Sequence, residues 1–329
     1  MKIENCQLHY LTTTEYSLWD DFLASSPQST IYGQSWYLEI LQCPFQILVV
    51  IEKEQILAGI VLTKDGRENF ANPYLCKYLG VYYKDFDGTT YNQETKRRKL
   101  TNLLLTEITQ KATFNYFFHP QFTTYFPFYV KHFESRLRYS YWINLKAQSL
   151  TQIRANFHSK LRSEIKFAEQ QSFSITKDVS LAVFINTCQK TFLQKGDKFP
   201  FSITFLHNYC QQLLDRKALQ ISGIKDQEGR VMAVIGILVT SQTNTLILSG
   251  FDKHLIKRGA NEYLVYHCIQ QAKQQADFFD FEGSMIPAIE AFYRKFGGAY
   301  VPYLNIYKNS TRQFLLEKLR FWYRQLRTR

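Results

Sequence analysis

Three polar side chains alternate with apolar or small ones in the last fifth of the chain: Asp280, Glu282 and Ser284 stand among Phe279, Phe281 and Gly283. On a β-strand, the period of two puts all three on one face. Two carboxylates and a hydroxyl at a strand end can accept a proton from an amine or hold the resulting cation. Strand ends in α/β folds are also where ligands sit. Glu282 is the candidate general base or amine-binding carboxylate. The same spacing also suits a structural use, in which Asp280 and Glu282 cap the helix expected from Pro287 or pair with Arg294.

A second group is cationic. Lys257-Arg258-Gly259-Ala260 follows an expected strand and opens an expected helix. Free backbone N–H groups at a helix start attract anions, and two adjacent cations add to that attraction. A pyrophosphate or a terminal phosphate of tRNA fits such a place, and so does a plain glycine turn with solvated charges. Lys160, Arg162 and Lys166 line a helix whose Phe157, Leu161, Ile165 and Ala168 form an apolar stripe. They are set to grip a phosphorylated donor or acceptor, or to form a solvated face.

The elements that position these groups follow from periodicity. Helices are expected from Thr12-Thr13-Thr14-Glu15, where a capping box is available, and over Gln34–Leu41, with Trp19, Phe22 and Leu23 on one face of the first. Strands are expected over Phe45–Ile51, Ile56–Leu62, Leu79–Tyr83, Phe114–Phe118 and Tyr139–Leu145, with a helix from Gln93 to Lys111. Near residue 148 the pattern restarts. Helices are expected over Leu150–Gln171, Leu181–Gln194 and Ile203–Leu214, then strands over Leu219–Ile224, Val231–Thr240 and Thr245–Phe251. Helix Ala260–Gln275, strand Phe278–Phe281, helix Pro287–Phe296 and strand Tyr300–Tyr307 follow. The division expected is 1–148, 149–310 and a basic amphipathic helix over 311–329, with the chemistry in the second part.

The 329 residues carry a formal net charge of +12, which favours encounter with nucleic acid, anionic lipid or phosphorylated ligands. Six widely spaced cysteines without a CxxC pair argue against a zinc site or a disulfide framework, and the seven histidines show no metal-ligand pairing. No signal-like stretch opens the sequence, and no run approaches the ~18 apolar residues of a membrane span. The expected location is cytoplasmic. Peripheral contact with the inner face of an anionic membrane would come through the last helix, where Trp322 and Tyr323 stand among Arg320, Arg324 and Arg327.

Three phrases in order carry a family resemblance: Ser159-Lys160-Leu161-Arg162 running to Ala168; Ala233–Gly250 followed by Phe251-Asp252 and Lys257-Arg258-Gly259-Ala260; and Phe279-Asp280-Phe281-Glu282-Gly283-Ser284 followed by Phe292-Tyr293-Arg294-Lys295-Phe296-Gly297-Gly298. Together they resemble the Fem-like branch of the GNAT acyltransferase superfamily, over roughly residues 150–308. The resemblance implies an α/β fold of two tandem GNAT-like domains, each a mixed, mostly antiparallel sheet flanked by helices. It also implies acyl or aminoacyl transfer from acyl-CoA or aminoacyl-tRNA to an amine of a cell-envelope or sugar-linked precursor, with no tightly bound cofactor. Tyr293 takes the place of the tyrosine that protonates the departing thiolate in that superfamily. Gly259 stands where the first glycine of its phosphate loop is expected, and Asn261 replaces the second small residue. The competing expectation is a non-catalytic module of the same fold that binds RNA or an anionic membrane surface.

Overall fold

A computed structural model of the chain describes residues 6–64, 69–108 and 113–308. By contacts the chain forms two compact units, one of residues up to Arg138 together with those from Pro302 onward, the other of Tyr139–Val301. The division falls before the expected restart at 148, and the described residues from Pro302 to Lys308 belong to the first unit. The amphipathic helix expected over 311–329 lies outside the described residues.

The first unit runs β1 (Gln7–Tyr10), α1 (Tyr16–Ser25), α2 (Ser35–Ile40), β2 (Phe45–Glu52), β3 (Gln55–Thr63), β4 (Phe70–Ala71), β5 (Val81–Tyr83), α3 (Thr90–Ile108), β6 (Phe114–Phe117), α4 (Phe126–Val130) and the start of β7 (Glu134–Asn144). Strands β1, β2, β3 and β5 form an antiparallel sheet. Thr12 and Glu15 make the expected capping box. Trp19, Phe22 and Leu23 are buried at helical spacing, and the Trp19 indole donates to the Gly33 carbonyl at 2.8 Å. Helix α3 buries Leu100, Leu104, Leu105 and Ile108, with the basic run Lys96–Lys99 in its middle, just before them.

The second unit continues from the rest of β7 through α5 (Leu150–Ala155), α6 (Ser159–Glu169), β8 (Ser174–Thr176), α7 (Leu181–Leu193), α8 (Ile203–Asp215), β9 (Leu219–Lys225), β10 (Val231–Val239), β11 (Thr243–Phe251), α9 (Ala260–Ala272), β12 (Phe278–Asp280), α10 (Pro287–Arg294) and the start of β13 (Ala299–Lys308). Its sheet order is β7-β12-β11-β10-β9-β8, antiparallel except between β11 and β12. Phe157, Leu161, Ile165, Ile235, Leu264, Ile269, Phe279 and Phe281 meet in its core.

One expected helix, Leu150–Gln171, is two. The His158 amide donates to the Lys295 carbonyl at 2.8 Å instead of to its own helix. His158 then turns extended, at φ −55° and ψ 141°, and its Nδ1 caps α6 by accepting from the Lys160 amide. The apolar stripe reads continuously across the break because Phe157, between α5 and α6, is buried against the rings of Tyr266 and Phe296.

Candidate active site

Strands β11 and β12 pair for only three residues, Thr243 to Thr245 opposite Phe278 to Asp280. Strand β11 then runs on to Phe251 while β12 stops. Among the described residues no strand pairs with that edge of β11 beyond Thr245. On its other edge the ladder to β10 slips: Ile237 faces Leu246 and Gly236 faces Leu248, so Ile247 is a bulge residue. A bulge re-aims backbone groups locally, and a parting of parallel strands leaves donors and acceptors open to a ligand. Sequence alternation through this segment is unbroken, so the parting is visible only in the pairing.

The expected one-face row of Asp280, Glu282 and Ser284 does not form. The strand ends at Asp280, which is 1% exposed. Its Oδ1 accepts hydrogen bonds from the Ser140 hydroxyl and, at 2.7 Å, from the Glu282 amide. That second bond bends the chain, and Glu282 and Gly283 follow at φ 59° and 65°. A left-handed non-glycine residue is strained, and such residues cluster where function over-determines the backbone. Gly283 has a reason of its own, since a Cβ there would lie 2.3 Å from the Tyr139 carbonyl oxygen. The Ser284 Oγ accepts from the Ile286 amide at 3.1 Å and so shapes the turn into α10. Helix α10 begins without a side-chain cap, and Arg294 pairs with Glu290 at 3.3 Å. Neither carboxylate therefore caps α10 with its side chain, and Asp280 is used structurally at the turn that precedes it.

Tyr293, half-buried on α10, lies against Phe281 with ring centroids 5.1 Å apart. Burial, then the carboxylates of Glu282 and Asp280, push its phenol well above the ordinary tyrosine range. The three residues picked from the sequence thus share one electrostatic neighbourhood. Beside them is a set the sequence did not single out. The Tyr141 hydroxyl donates to Glu290, and the Tyr141 ring lies 4.8 Å from that of Tyr300. Burial, then Glu290 and Tyr300, raise the Tyr141 phenol. Its only sequence signal is the run of tyrosines at Tyr139 and Tyr141, unremarkable in so aromatic a chain.

The cationic group gathers around a carboxylate. The Arg258 Nε donates to Glu164 at 2.7 Å, and its guanidinium stacks 4.7 Å over the Phe167 ring. The bond from Arg258, then the fields of Arg258, Lys160 and Lys295, hold Glu164 below the usual carboxylate range. Gly259, at φ 73°, is the N-cap of α9, and Ala260 is fully buried behind it. A Cβ on Gly259 would stand 2.3 Å from the Glu164 carbonyl oxygen, so this glycine fixes the seat of α9 on α6. Lys257 and Lys160 are exposed. Arg162 donates to the carbonyls of Ala155 and Phe157, so it closes the end of α5. Lys295, which the sequence did not single out, belongs to this group and lies two residues beyond Tyr293.

Residues 155–285 match the acetyltransferase (GNAT) domain family. No curated protein matches the chain. Among solved structures the fold is similar to that of FemX, at TM-score 0.67 and 10% identity over 91% of this chain and 96% of that one. It is similar to L-PGS from Bacillus licheniformis, at TM-score 0.56 and 12% identity over 96% and 97%. It is also similar to a tandem GNAT protein from the clavulanic acid biosynthesis pathway, at TM-score 0.53 and 8% identity over 92% and 98%. At these identities the likeness is one of fold. Residues 155–285, in the second unit, thus match the GNAT acetyltransferase domain, and the chain as a whole shares its fold with FemX and with a tandem GNAT protein.

Proposed function

We propose that the second unit transfers an acyl or aminoacyl group from acyl-CoA or aminoacyl-tRNA to an amine of a cell-envelope or sugar-linked precursor. The observation that carries this reading is the parting of β11 from β12 beside Glu282 and Tyr293. The open edge of β11 offers backbone donors to a carbonyl oxygen that gains charge as the amine attacks. Asp280 is committed to Ser140 and the Glu282 amide, and Glu282 takes the proton from the attacking nitrogen. The new C–N bond forms as the C–S bond of a thioester, or the C–O bond of an aminoacyl ester, breaks. Tyr293, kept protonated by its surroundings, gives its proton to the departing sulfur or oxygen. Products are an amide and a thiol or hydroxyl, and no redox partner is needed. Lys257, Lys160 and the N-terminus of α9 serve the donor's phosphates.

A thermal-shift series with acetyl-CoA, longer acyl-CoAs, charged and uncharged tRNA and nucleotide-sugar precursors tests the reading, because a ligand of the folded state raises Tm. A shift with an acyl-CoA selects the thioester donor, and a shift with aminoacyl-tRNA alone selects the ester donor. No shift with any donor, combined with no transfer activity, counts against the enzyme. This reading places the reaction in the cytoplasm, at the inner membrane face where the acceptor is lipid-linked.

A further inference from the structure

The two units repeat one order of elements. In the first, β1, α1, α2, β2, β3 and β5 lead into α3 and β6; in the second, β8, α7, α8, β9, β10 and β11 lead into α9 and β12. The four strands of each set are neighbours in the same sequence order. Helix α3 therefore stands where α9 stands, and the connection from β5 into α3 corresponds to the one holding Lys257 and Gly259. Both connections contain a glycine at positive φ, Gly88 at 104° and Gly259 at 73°.

Beside that connection in the first unit lies a cavity of about 560 Å³. Lys84, Asp85 and Asp87 line it from the connection, and Asn92, Lys96 and Lys99 from α3. The helical residues are spaced four and seven apart from Asn92, which puts them on one face. The wall is already formed. Gln93 Nε2 donates to the carbonyls of Phe86 and Gly88, at 2.6 and 3.2 Å. Phe86 is 7% exposed, and the Lys96 ammonium sits 4.3 Å from its ring centroid. Lys84 Nζ donates to Gln55 Oε1 at 3.0 Å, a neutral partner that leaves its charge uncompensated at that bond.

We propose that this cavity is a second ligand site, specific for a phosphorylated sugar of nucleotide size. Three lysines against two aspartates leave the lining with one excess positive charge, which selects an anion. Asp85 and Asp87 repel a bare anion but accept hydrogen bonds from sugar hydroxyls, so the lining discriminates a sugar phosphate from a simple phosphate. The volume falls within the range of roughly 300–1,000 Å³ of small-molecule sites. The proposal is independent of the acyl-transfer reading, since the site belongs to the other unit and requires no transfer step.

Calorimetry on the full chain with ADP as probe, and inorganic pyrophosphate and ribose as controls, tests it. We expect saturable ADP binding, weaker pyrophosphate binding and none for ribose. In K96Q/K99Q, and separately in K84Q on another element, ADP binding weakens at least about tenfold, as loss of charged contacts implies. D87N, which removes the repulsion of a bare anion, strengthens pyrophosphate binding and so narrows the preference for ADP. K146Q, at an exposed lysine of the second unit paired with Asp277, leaves the affinity unchanged. The proposal is overturned if ADP does not bind saturably, or if pyrophosphate binds as tightly as ADP. It is also overturned if K257Q, in the candidate donor loop of the second unit, abolishes binding that K96Q/K99Q and K84Q retain.

Discussion

Asp280 and Glu282 are held to each other by one hydrogen bond, from the Glu282 amide to the Asp280 Oδ1 at 2.7 Å, and the Ser140 hydroxyl donates to the same oxygen. The buried carboxylate is the anchor, and the half-buried one is what it presents. Asp280→Ala leaves a buried hydroxyl and an amide without their acceptor, which costs about 1–3 kcal/mol. Tm should fall by roughly 2–4 °C for each kcal/mol in a unit of this size. Asp280→Asn, which retains an acceptor oxygen, should fall less. A wild-type melting curve for the alanine variant would show that Asp280 does not anchor the turn.

Tyr293→Phe tests the phenol without emptying the space it fills. The rings of Phe281 and Phe292 keep their neighbour, so Tm should move by less than about 1 °C, as for a volume-conserving change. Transfer turnover should fall about 10²–10⁴-fold, the usual contribution of a positioned acid. The pH profile carries the sign. The acid form is the active one, and burial with Glu282 and Asp280 raises the phenol. The Tyr293-dependent alkaline limb should therefore lie above the ordinary tyrosine pKa of about 10, and the phenylalanine variant should lack it. A variant that turns over at the wild-type rate would remove Tyr293 from the reaction.

Gly259→Ala should destabilise the second unit more than Gly196→Ala. Both glycines have positive φ, at 73° and 79°, so each alanine bears a left-handed backbone cost of about 1–3 kcal/mol. At Gly196 nothing lies within 4 Å of the new Cβ, whereas at Gly259 the Glu164 carbonyl oxygen is 2.3 Å away. Backbone cannot swing aside as a side chain does, so α9 must shift from its seat on α6. Denaturant unfolding of the two variants should separate them by at least ~1 kcal/mol. Equal midpoints would mean that the α6–α9 contact yields without cost.

Much of this architecture is legible in the sequence because it is written in local periods. Trp19, Phe22 and Leu23 announce α1, and the β9–β10–β11 meander shows as apolar runs broken at Asp226–Gly229 and near Thr243. The short strands β1, β4 and β8 escape notice, since two to four residues carry no usable period. The larger misses share one cause, a tertiary partner distant in sequence. Lys295 takes the amide that would have carried α5 into α6, and Ser140 helps fix Asp280 where the alternating row was expected to continue. Arg162 looks like a free cation in sequence, but it is occupied by the carbonyls at the end of α5. Glu282 and Tyr293 stand out as candidates because the family resemblance and the strand-end argument converge on one short stretch.

The acid limb of stability should carry the signature of His119. Its Nδ1 accepts from the Gln121 amide at 3.2 Å, and its ring meets that of Tyr78 edge-on at 5.6 Å. Burial disfavours the imidazolium and lowers its pKa to about 4. The unfolded chain, with a histidine pKa near 6.5, binds this proton first as pH falls. Stability from this site is therefore complete above pH ~6.5, declines as pH drops below that value, and is fully lost once pH passes below about 4. By pH 5 the loss should reach roughly 1–2 kcal/mol. His119→Asn keeps an acceptor for the Gln121 amide and cannot titrate, so its unfolding free energy should be flatter between pH 7 and pH 5 by about that amount. Urea unfolding at several pH values in this window, wild type beside variant, measures it. Parallel curves would mean that His119 is already free to take up its proton in the folded chain.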